Sequence, residues 1–473
     1  MSSNHDYSSN LSVDGIFGND FDDDIIKGIN SADQAFRGPL SVQIDLTNTC
    51  NLNCVACWCY SELMEEKKFT PDIIKLKLSK NRVMELVHEL NDLNVRHICL
   101  SGGGDPSTHP NFMEVVREIK LLKIKLTIVT NFTLWTKEMI DKCVEYEVDN
   151  LNVSMWAATP ETYVKLHPNQ NEKTFQSLIE KMKYLHSAKK GAGKPYVKYF
   201  SVISSYNFFE IDKMVEMALR TGSDSIEYQI VDIVEGKTDS LRLTEDMTAA
   251  IAATFEKLKE RDDYFDEFCI HDIQDASYRP EHISFGRFIK QIPDGFKFER
   301  ESLKLRCPKR YLNKERHTDD KNIKSFQYWF DDKICSRCTN QKICFKEKPF
   351  VHVEFLNLLG HGAFTRRMNS KNNNGIYDEN VVEKIPCYVG WTYTRILPNG
   401  DVIPCCKGHR MPIGNIMNKR LKEIWYSSPY NIFREMAKTK SKKHPYFSKI
   451  DCLRCCDNLG MNIESHAKML STK

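Results

Sequence analysis

The residues best suited to metal chemistry in this chain are its 17 cysteines, most of which lie in three groups. The first group, Cys50, Cys54 and Cys57, has the spacing C-x3-C-x2-C. Three thiolates on so short a loop can bind three irons of one 4Fe–4S cluster. The fourth iron then lacks a protein ligand, and an open coordination position is typical of a reactive metal centre. The alternative is a zinc loop or a structural cluster, with Cys59 as a fourth ligand.

Apolar residues at alternate positions predict a strand at Ser41–Leu46, directly before this group. Further strands are predicted at His97–Leu100, Lys125–Val129, Asn150–Ser154, Val197–Ser204 and Ser225–Ile230, with helical patterns between them. Such alternation indicates parallel strands covered by helices, and six units with right-handed crossovers make a partial barrel. Functional loops of barrels lie at the carboxyl ends of the strands, where the first cysteine group falls.

A run of glycines, Gly102, Gly103 and Gly104, closes the second predicted strand and is followed by Asp105. Consecutive glycines let a ligand approach the backbone and leave amides available to bind it. A glycine run by itself also occurs in ordinary turns. The prediction of a ligand site therefore depends on the position of this run at a strand end.

The segment Thr47–Cys57 (TNTCNLNCVAC) resembles the signature of the radical S-adenosylmethionine (SAM) superfamily. The resemblance implies that SAM chelates the open iron through its amino and carboxylate groups. It also implies that reductive cleavage of SAM releases a 5′-deoxyadenosyl radical, which abstracts hydrogen from a substrate. Ala56 departs from the usual pattern, because the residue before the third cysteine is often aromatic. This departure affects only the contact that the resemblance implies between this position and the adenine of SAM.

The same resemblance implies SAM-binding residues at the strand ends. Gly102–Asp105 is similar to the family's Gly-Gly-Glu-Pro element, which holds the SAM amino group, and Asp105 keeps the carboxylate. Contacts to the ribose, carboxylate or adenine are implied for residues at later strand ends: Asn131, Asn152, Ser154 and Ser204.

A second cysteine group lies near the carboxyl end of the chain and comprises Cys387, Cys405, Cys452 and Cys455. Pro398-Asn399-Gly400 predicts a hairpin between strands at Thr392–Leu397 and Asp401–Ile403. The hairpin would bring Cys387 near Cys405, and the other two cysteines complete a four-sulfur site. The spacing suits either zinc or a fully ligated 4Fe–4S cluster.

This carboxyl-terminal segment resembles the SPASM/twitch extension of radical SAM enzymes, which holds auxiliary iron–sulfur clusters. The matching residues include Gly400–Cys406, Gly414–Ile416 and Leu421–Trp425. No cysteine follows Cys456, so the segment is more similar to the shorter twitch form, with one auxiliary 4Fe–4S cluster.

A third group, Cys307, Cys335, Cys338 and Cys344, lies between these two regions. Its last three members have the spacing C-x2-C-x5-C. Four cysteines suit a second auxiliary cluster or a zinc site, and the sequence leaves both open.

The fold class predicted is α/β: a partial (β/α)6 radical SAM barrel, a mixed insert and a small α+β SPASM/twitch-like domain. We divide the chain into a flexible amino-terminal segment (1–36), the barrel (37–235), the insert with the third cysteine group (236–385) and the auxiliary cluster domain (386–473).

The overall composition excludes several classes of protein. A net charge of +3 is too small to indicate nucleic-acid binding. No apolar run reaches the ~20 residues that a membrane span needs, and residues 1–10 do not form a secretory signal. We therefore expect a cytoplasmic protein without a membrane partner, in which the cysteines stay reduced and available to metals.

The resemblance leads to a radical SAM enzyme of oxidoreductase or epimerase type acting on a carbohydrate, aminocyclitol or similar small metabolite. An alternative is a maturase that modifies a ribosomally made peptide or protein. A further alternative is an electron carrier or zinc-binding protein without catalysis. A reductase, flavodoxin or ferredoxin is the implied electron donor, and Cys59, Cys406 and Cys456 are candidate hydrogen donors.

Overall fold

We describe a computed structural model of the chain. The residues that it describes are 21–67, 69–189, 194–260, 297–299, 304–306, 352–353, 382–450, 452–455 and 458–471. The third cysteine group (Cys307, Cys335, Cys338 and Cys344) and Cys456 lie outside the described residues.

Six strands in chain order form the centre of the structure. They are β1 (Ser41–Asp45), β2 (His97–Ser101), β3 (Lys125–Thr130), β4 (Asn150–Ser154), β5 (Tyr196–Ile203) and β6 (Ser225–Ile230). Each pairs in parallel with the next, so their carboxyl ends share one edge. The predicted parallel α/β sheet of an unclosed, radical SAM type barrel is confirmed, with strand boundaries that differ from the prediction by at most one residue.

Helices follow the strands and cover one face of the sheet. Those before the insert are α1 (Asp23–Ser31), α2 (Pro71–Ile74), α3 (Lys80–Asp92), α4 (Phe112–Leu121), α5 (Lys137–Glu145), α6 (Pro160–Leu166), α7 (Glu172–Ala188), α8 (Ile211–Arg220) and α9 (Glu245–Glu260). In α3 the side chains of Val83, Leu86, Val87 and Leu90 are fully buried, because the spacing i, i+3, i+4, i+7 places them on one face.

The flexible segment predicted for 1–36 is wrong for its second half, where α1 forms. Asp22 caps this helix by accepting a hydrogen bond from the Ile25 amide, and Asp23 and Asp24 occupy the first turn. Carboxylates at that end favour a helix because they oppose its dipole. Ile25 and Ile29 are buried. The acidic cluster therefore begins a packed helix, while residues 1–20 lie outside the described part.

Three short strands are described in the insert. β7 (Lys297–Glu299) and β8 (Lys304–Arg306) pair with each other antiparallel. β9 (His352–Val353) pairs in parallel with β6 and so extends the barrel sheet at that side.

The carboxyl-terminal region extends the same sheet at its other side. β10 (Tyr393–Ile396) pairs in parallel with β1, and β11 (Asp401–Ile403) and β12 (Gly414–Asn415) follow antiparallel. The helices here are α10 (Val389–Thr392), α11 (Leu421–Trp425), α12 (Ser428–Thr439) and α13 (Asn458–Ser471). The boundary predicted at 386 therefore does not interrupt the sheet. Among the described residues, no helix is both long and apolar enough to cross a membrane.

A buried ion pair joins β1 to β10. Asp45, the last residue of β1, is 1% exposed, and its Oδ2 lies 2.6 Å from Nη2 of Arg395. Nε of Arg395 donates to the same carboxylate at 3.1 Å, so the contact is bidentate. A paired guanidinium of this kind also sets the register between two strands.

We expect Arg395→Leu to destabilise the protein by about 3–5 kcal/mol, because it leaves the Asp45 carboxylate buried without its cation. Urea denaturation of the protein without iron would measure the change. Lys142→Leu is the matched control: its partner Glu138 is 76% exposed, and we expect no measurable change. Equal midpoints for the two variants would contradict a stabilising role for the pair.

Candidate functional site

The first cysteine group lies on the loop that leaves the carboxyl end of β1. Burial raises the pKa of the Cys50 thiol to about 12 and raises that of Cys54 as well, and the negative charges of neighbouring groups add to both shifts. A hydrogen bond from Cys59 lowers the pKa of Cys57 to about 7. Three half-buried thiols on one loop fit an iron–sulfur cluster, because bound irons would supply the positive charge that their thiolates need.

The backbone of this loop is held by the loops at the ends of β1 and β2. The Cys50 amide donates to the Tyr60 hydroxyl at 3.0 Å. The carbonyl of Thr49 accepts from the Asp105 amide at 3.0 Å and from Oγ1 of Thr108 at 2.8 Å. The first cysteine is thus fixed to the glycine run before any ligand binds.

The glycine run is required by this packing. A Cβ at Gly104 would lie 2.1 Å from the Thr49 carbonyl oxygen, and one at Gly103 would lie 2.5 Å from Oδ1 of Asn48. Gly102 has a φ of +142°, in a region that favours glycine. The glycines therefore let the cysteine loop lie directly on the end of β2. Their predicted contact with SAM stays a prediction.

Asp105 is buried and connects the ends of β2 and β3. Its carboxylate accepts from the Ser107 amide at 2.9 Å, from Oγ1 of Thr130 at 2.9 Å and from the Asn131 amide at 2.7 Å. Burial raises the pKa of this carboxyl in spite of these donors. Its oxygens thus accept hydrogen bonds from groups of the protein itself. The contact of Asp105 with the SAM amino group stays a prediction.

Asn131, at the end of β3, faces the first cysteine. Its Nδ2 donates to Oδ1 of Asn51 at 3.0 Å and lies 3.8 Å from Sγ of Cys50. Of the strand-end residues predicted to bind SAM, Asn131 has a direct contact with the cysteine loop.

The remaining predicted SAM residues lie at the ends of β4 and β5. Asn152 and Ser154 are half-buried and alternate with the fully buried Leu151 and Val153, so they share the opposite face of β4. Ser204 is buried, and its amide donates to a side chain in the following turn at 2.7 Å. This contact gives Ser204 a structural role in the turn.

The connection between α6 and α7 also supports the cysteine loop, and no sequence motif predicted this support. The amides of Asn53 and Asn169 each donate to the other's side-chain oxygen, at 3.3 and 3.0 Å. The Val55 amide donates to the Leu166 carbonyl at 2.9 Å. These partners are more than a hundred residues apart in the sequence, so no local pattern announces them.

The second cysteine group, Cys387, Cys405, Cys452 and Cys455, lines one pocket. The assignment of these thiols as cluster ligands stays a prediction. Apolar side chains such as Ile385 and Leu459 wall the pocket, with Lys407 and Lys442 at its edge. Nδ2 of Asn462 donates to Sγ of Cys387 at 3.6 Å. Two lysines beside four thiols fit an anionic cluster.

Between the two cysteine groups lies a set of polar side chains at the seam of β1 and β10. Nη1 of Arg395 lies 3.4 Å from the Cys406 carbonyl, and Cys59 lies within electrostatic reach of the same guanidinium. Sγ of Cys406 is 3.6 Å from the Tyr393 hydroxyl. We call this set (Asp45, Cys59, Tyr393, Arg395 and Cys406) the seam cluster.

Lys407 connects this region with the far side of the barrel. Its Nζ lies 3.6 Å from the ring centre of Trp58, which follows the third cysteine, and 3.5 Å from Oδ2 of Asp232, which follows β6. Trp58 is 42% exposed. An exposed aromatic ring beside a cation can contact a ligand. No motif in the sequence marks these residues as a site.

Within the part of the chain that the structure describes, no three His, Cys, Asp or Glu side chains are placed to share a single metal ion.

Two family models match the chain, and they match the two cysteine regions. Residues 44–218 match the model of the radical SAM superfamily, and residues 387–456 match that of the iron–sulfur cluster-binding SPASM domain. The chain therefore carries a radical SAM domain and a carboxyl-terminal SPASM domain. These two domains imply a SAM-binding 4Fe–4S cluster and auxiliary iron–sulfur clusters, as predicted.

Curated relatives match part of the chain. A probable GTP 3′,8-cyclase of Thermococcus kodakarensis is 28% identical over 40% of this chain and 57% of its own length. A tungsten-containing aldehyde ferredoxin oxidoreductase cofactor-modifying protein of Pyrococcus furiosus is 27% identical over 39% and 49%. Mycofactocin maturase of Mycobacterium tuberculosis is 24% identical over 41% and 46%. The chain thus spans about half the length of the curated relatives it matches.

Among solved structures, Streptococcus suis SuiB bound to S-adenosylmethionine has a TM-score of 0.49 at 15% identity. The likeness covers 91% of this chain and 74% of SuiB.

We expect Gly104→Ala to lower the iron and sulfide content after anaerobic reconstitution several-fold, because the new methyl group would collide with the Thr49 backbone and displace the cysteine loop. Iron analysis and visible absorption would measure the loss. Gly236→Ala is the control: its φ of +73° also disfavours alanine, but a Cβ there meets no atom within 4 Å, so it tests backbone strain without a collision. Full cluster loading of the Gly104 variant would show that the loop tolerates the displacement.

Proposed function

We propose that this enzyme acts on a small polar metabolite, of carbohydrate or aminocyclitol type, and oxidises or epimerises it. When bound, the first cluster and SAM supply a 5′-deoxyadenosyl radical that abstracts a hydrogen atom from the substrate. In this proposal Cys50, Cys54 and Cys57 hold the first cluster, and Cys387, Cys405, Cys452 and Cys455 hold one auxiliary cluster. The observation that supports it most is the parallel pairing of β1 with β10, which sets the two cysteine regions side by side.

The seam cluster and Lys407 favour a polar substrate. Asp45, Arg395, Lys407 and Asp232 place two carboxylates and two cations around the region that both cysteine groups border. Hydroxyl and amino groups of a sugar-like molecule can exchange hydrogen bonds with such charged pairs. The ring of Trp58 offers a flat surface beside them.

Cys406 is the candidate hydrogen donor that the contacts favour over Cys59. The thiol of Cys59 is hydrogen-bonded to Cys57, a predicted cluster ligand, and this bond together with burial raises its pKa. Cys406 lies instead beside the Tyr393 hydroxyl in the seam cluster. A thiol there can return a hydrogen atom to the opposite face of a substrate radical, which gives epimerisation, whereas electron transfer to an auxiliary cluster gives oxidation.

Modification of a peptide is the second candidate, and the match to mycofactocin maturase favours it. The two candidates differ in the size of substrate that must reach the seam cluster.

We further propose the domain boundaries 37–235, 236–385 and 386–473 and a cytoplasmic location. The insert would hold a zinc ion or a second auxiliary cluster. A reductase, flavodoxin or ferredoxin would be the electron donor.

We expect the reconstituted, chemically reduced protein to form 5′-deoxyadenosine from SAM, and Cys54→Ala to abolish this product, because one of three cluster ligands is lost. Liquid chromatography under anaerobic conditions would measure it. Cys143→Ala is the matched control: Cys143 is a fully buried thiol on α5, outside all three cysteine groups, and its loss should leave the yield within about twofold.

A fully loaded first cluster that yields no 5′-deoxyadenosine, with or without sugar and peptide substrates, would instead support the electron-carrier alternative. Stimulation of 5′-deoxyadenosine formation by peptides but not by sugars or aminocyclitols would favour the maturase.

A further inference from the structure

Tyr163 on α6 carries a polar atom that the fold leaves without a partner. The side chain is fully buried, and among the described residues its hydroxyl has no hydrogen-bond partner. A buried, unsatisfied hydroxyl is unfavourable, because it has lost its hydrogen bonds to water without replacing them. Native proteins rarely keep such a group unless a ligand, ion or water satisfies it.

The ring of Tyr163 is fixed in place by its neighbours. Its centroid lies 4.2 Å from that of His167 and 5.3 Å from that of Phe175. His167 is held in turn by a hydrogen bond of 2.9 Å between its Nδ1 and the Tyr163 carbonyl. Burial lowers the pKa of His167 to about 4, so its ring is neutral at neutral pH and packs as an apolar plate. The hydroxyl cannot swing into solvent without unpacking these rings.

The end of α6 that carries Tyr163 lies against the first cysteine group. The Leu166 carbonyl accepts from the Val55 amide, next to Cys54, at 2.9 Å. After burial, the charges that most raise the pKa of Tyr163 are those of the Cys54 and Cys50 thiols. The hydroxyl is therefore buried close enough to the Cys54 and Cys50 thiols for their charges to act on it.

We propose that the Tyr163 hydroxyl donates a hydrogen bond to a sulfur atom of the first 4Fe–4S cluster and raises its reduction potential. The inference rests on the assignment of this cluster to Cys50, Cys54 and Cys57. A donor stabilises the reduced cluster more than the oxidised one, because reduction adds negative charge to the sulfurs. Tyr163 acts through the cluster and is a positioning residue.

The test is a redox titration of the reconstituted full-length protein, followed by electron paramagnetic resonance. The signal of the first cluster is recognised by its change when SAM is added, and the auxiliary cluster serves as an internal reference. In Tyr163→Phe we expect the first cluster to titrate at a more negative potential, with several-fold less reduced cluster at a fixed applied potential. The auxiliary cluster should titrate as in the wild type.

Tyr199→Phe is the matched control, since Tyr199 is equally buried but its hydroxyl donates to the Ala157 carbonyl at 2.5 Å. We expect no shift for that variant. An unchanged first-cluster potential in Tyr163→Phe, at wild-type iron content, would overturn the proposal. So would equal shifts in both tyrosine variants.

If Tyr163→Phe binds too little iron, site-specific replacement of Tyr163 by 3-fluorotyrosine keeps the ring and makes the hydroxyl a stronger donor. The potential should then move in the positive direction, and no movement would overturn the proposal. The potential is read without turnover. A wild-type protein that loads its cluster but forms no 5′-deoxyadenosine would therefore count against the proposed function and leave the Tyr163 contact to be judged separately.

Discussion

The ion pair between Asp45 and Arg395 is the contact on which the arrangement of the two cysteine regions depends. Both side chains lie within the seam of two parallel strands, and a buried carboxylate tolerates neither loss nor displacement of its cation. The pair therefore holds β10 in a single register against β1. Since the first cysteine loop leaves β1 immediately after Asp45, the same contact determines where the auxiliary pocket lies relative to that loop.

The second constraint is the close approach of the cysteine loop to the end of β2. Glycine is needed at three successive positions because other residues of the barrel, and not empty space, lie where side chains would project. Asp105 reinforces the approach by accepting hydrogen bonds from the end of β3. A motif that the sequence presents as ligand-binding thus also serves to place the cysteine loop.

The region between the cysteine groups combines charge with partial burial. Cys59, Arg395, Cys406 and Lys407 lie where β1, β6 and β10 bring their carboxyl ends together, as functional residues do in other barrels. Asp45, Tyr393 and Lys407 are buried there, so their charges and hydrogen bonds are stronger than they would be in solution. This combination suits an enzyme that must protect a reactive intermediate while it recognises polar groups.

The sequence by itself determined the family chemistry and most of the barrel. The spacing of Cys50, Cys54 and Cys57 is local, and alternating and helical periodicities report burial within single elements, so both can be read along the chain. The sequence also predicted that Cys387, Cys405, Cys452 and Cys455 share one site. The hairpin signal that joins the first two is local as well. It misassigned the acidic residues before α1, where packing of Ile25 and Ile29 decides the structure.

Only the tertiary structure decided the pairing of β1 with β10, the hydrogen bonds between Asn169 and the cysteine loop, and the position of Tyr163. Each of these joins residues that are about a hundred or more positions apart. No local propensity encodes such contacts, since they depend on which surfaces remain to be buried once the whole sheet has formed.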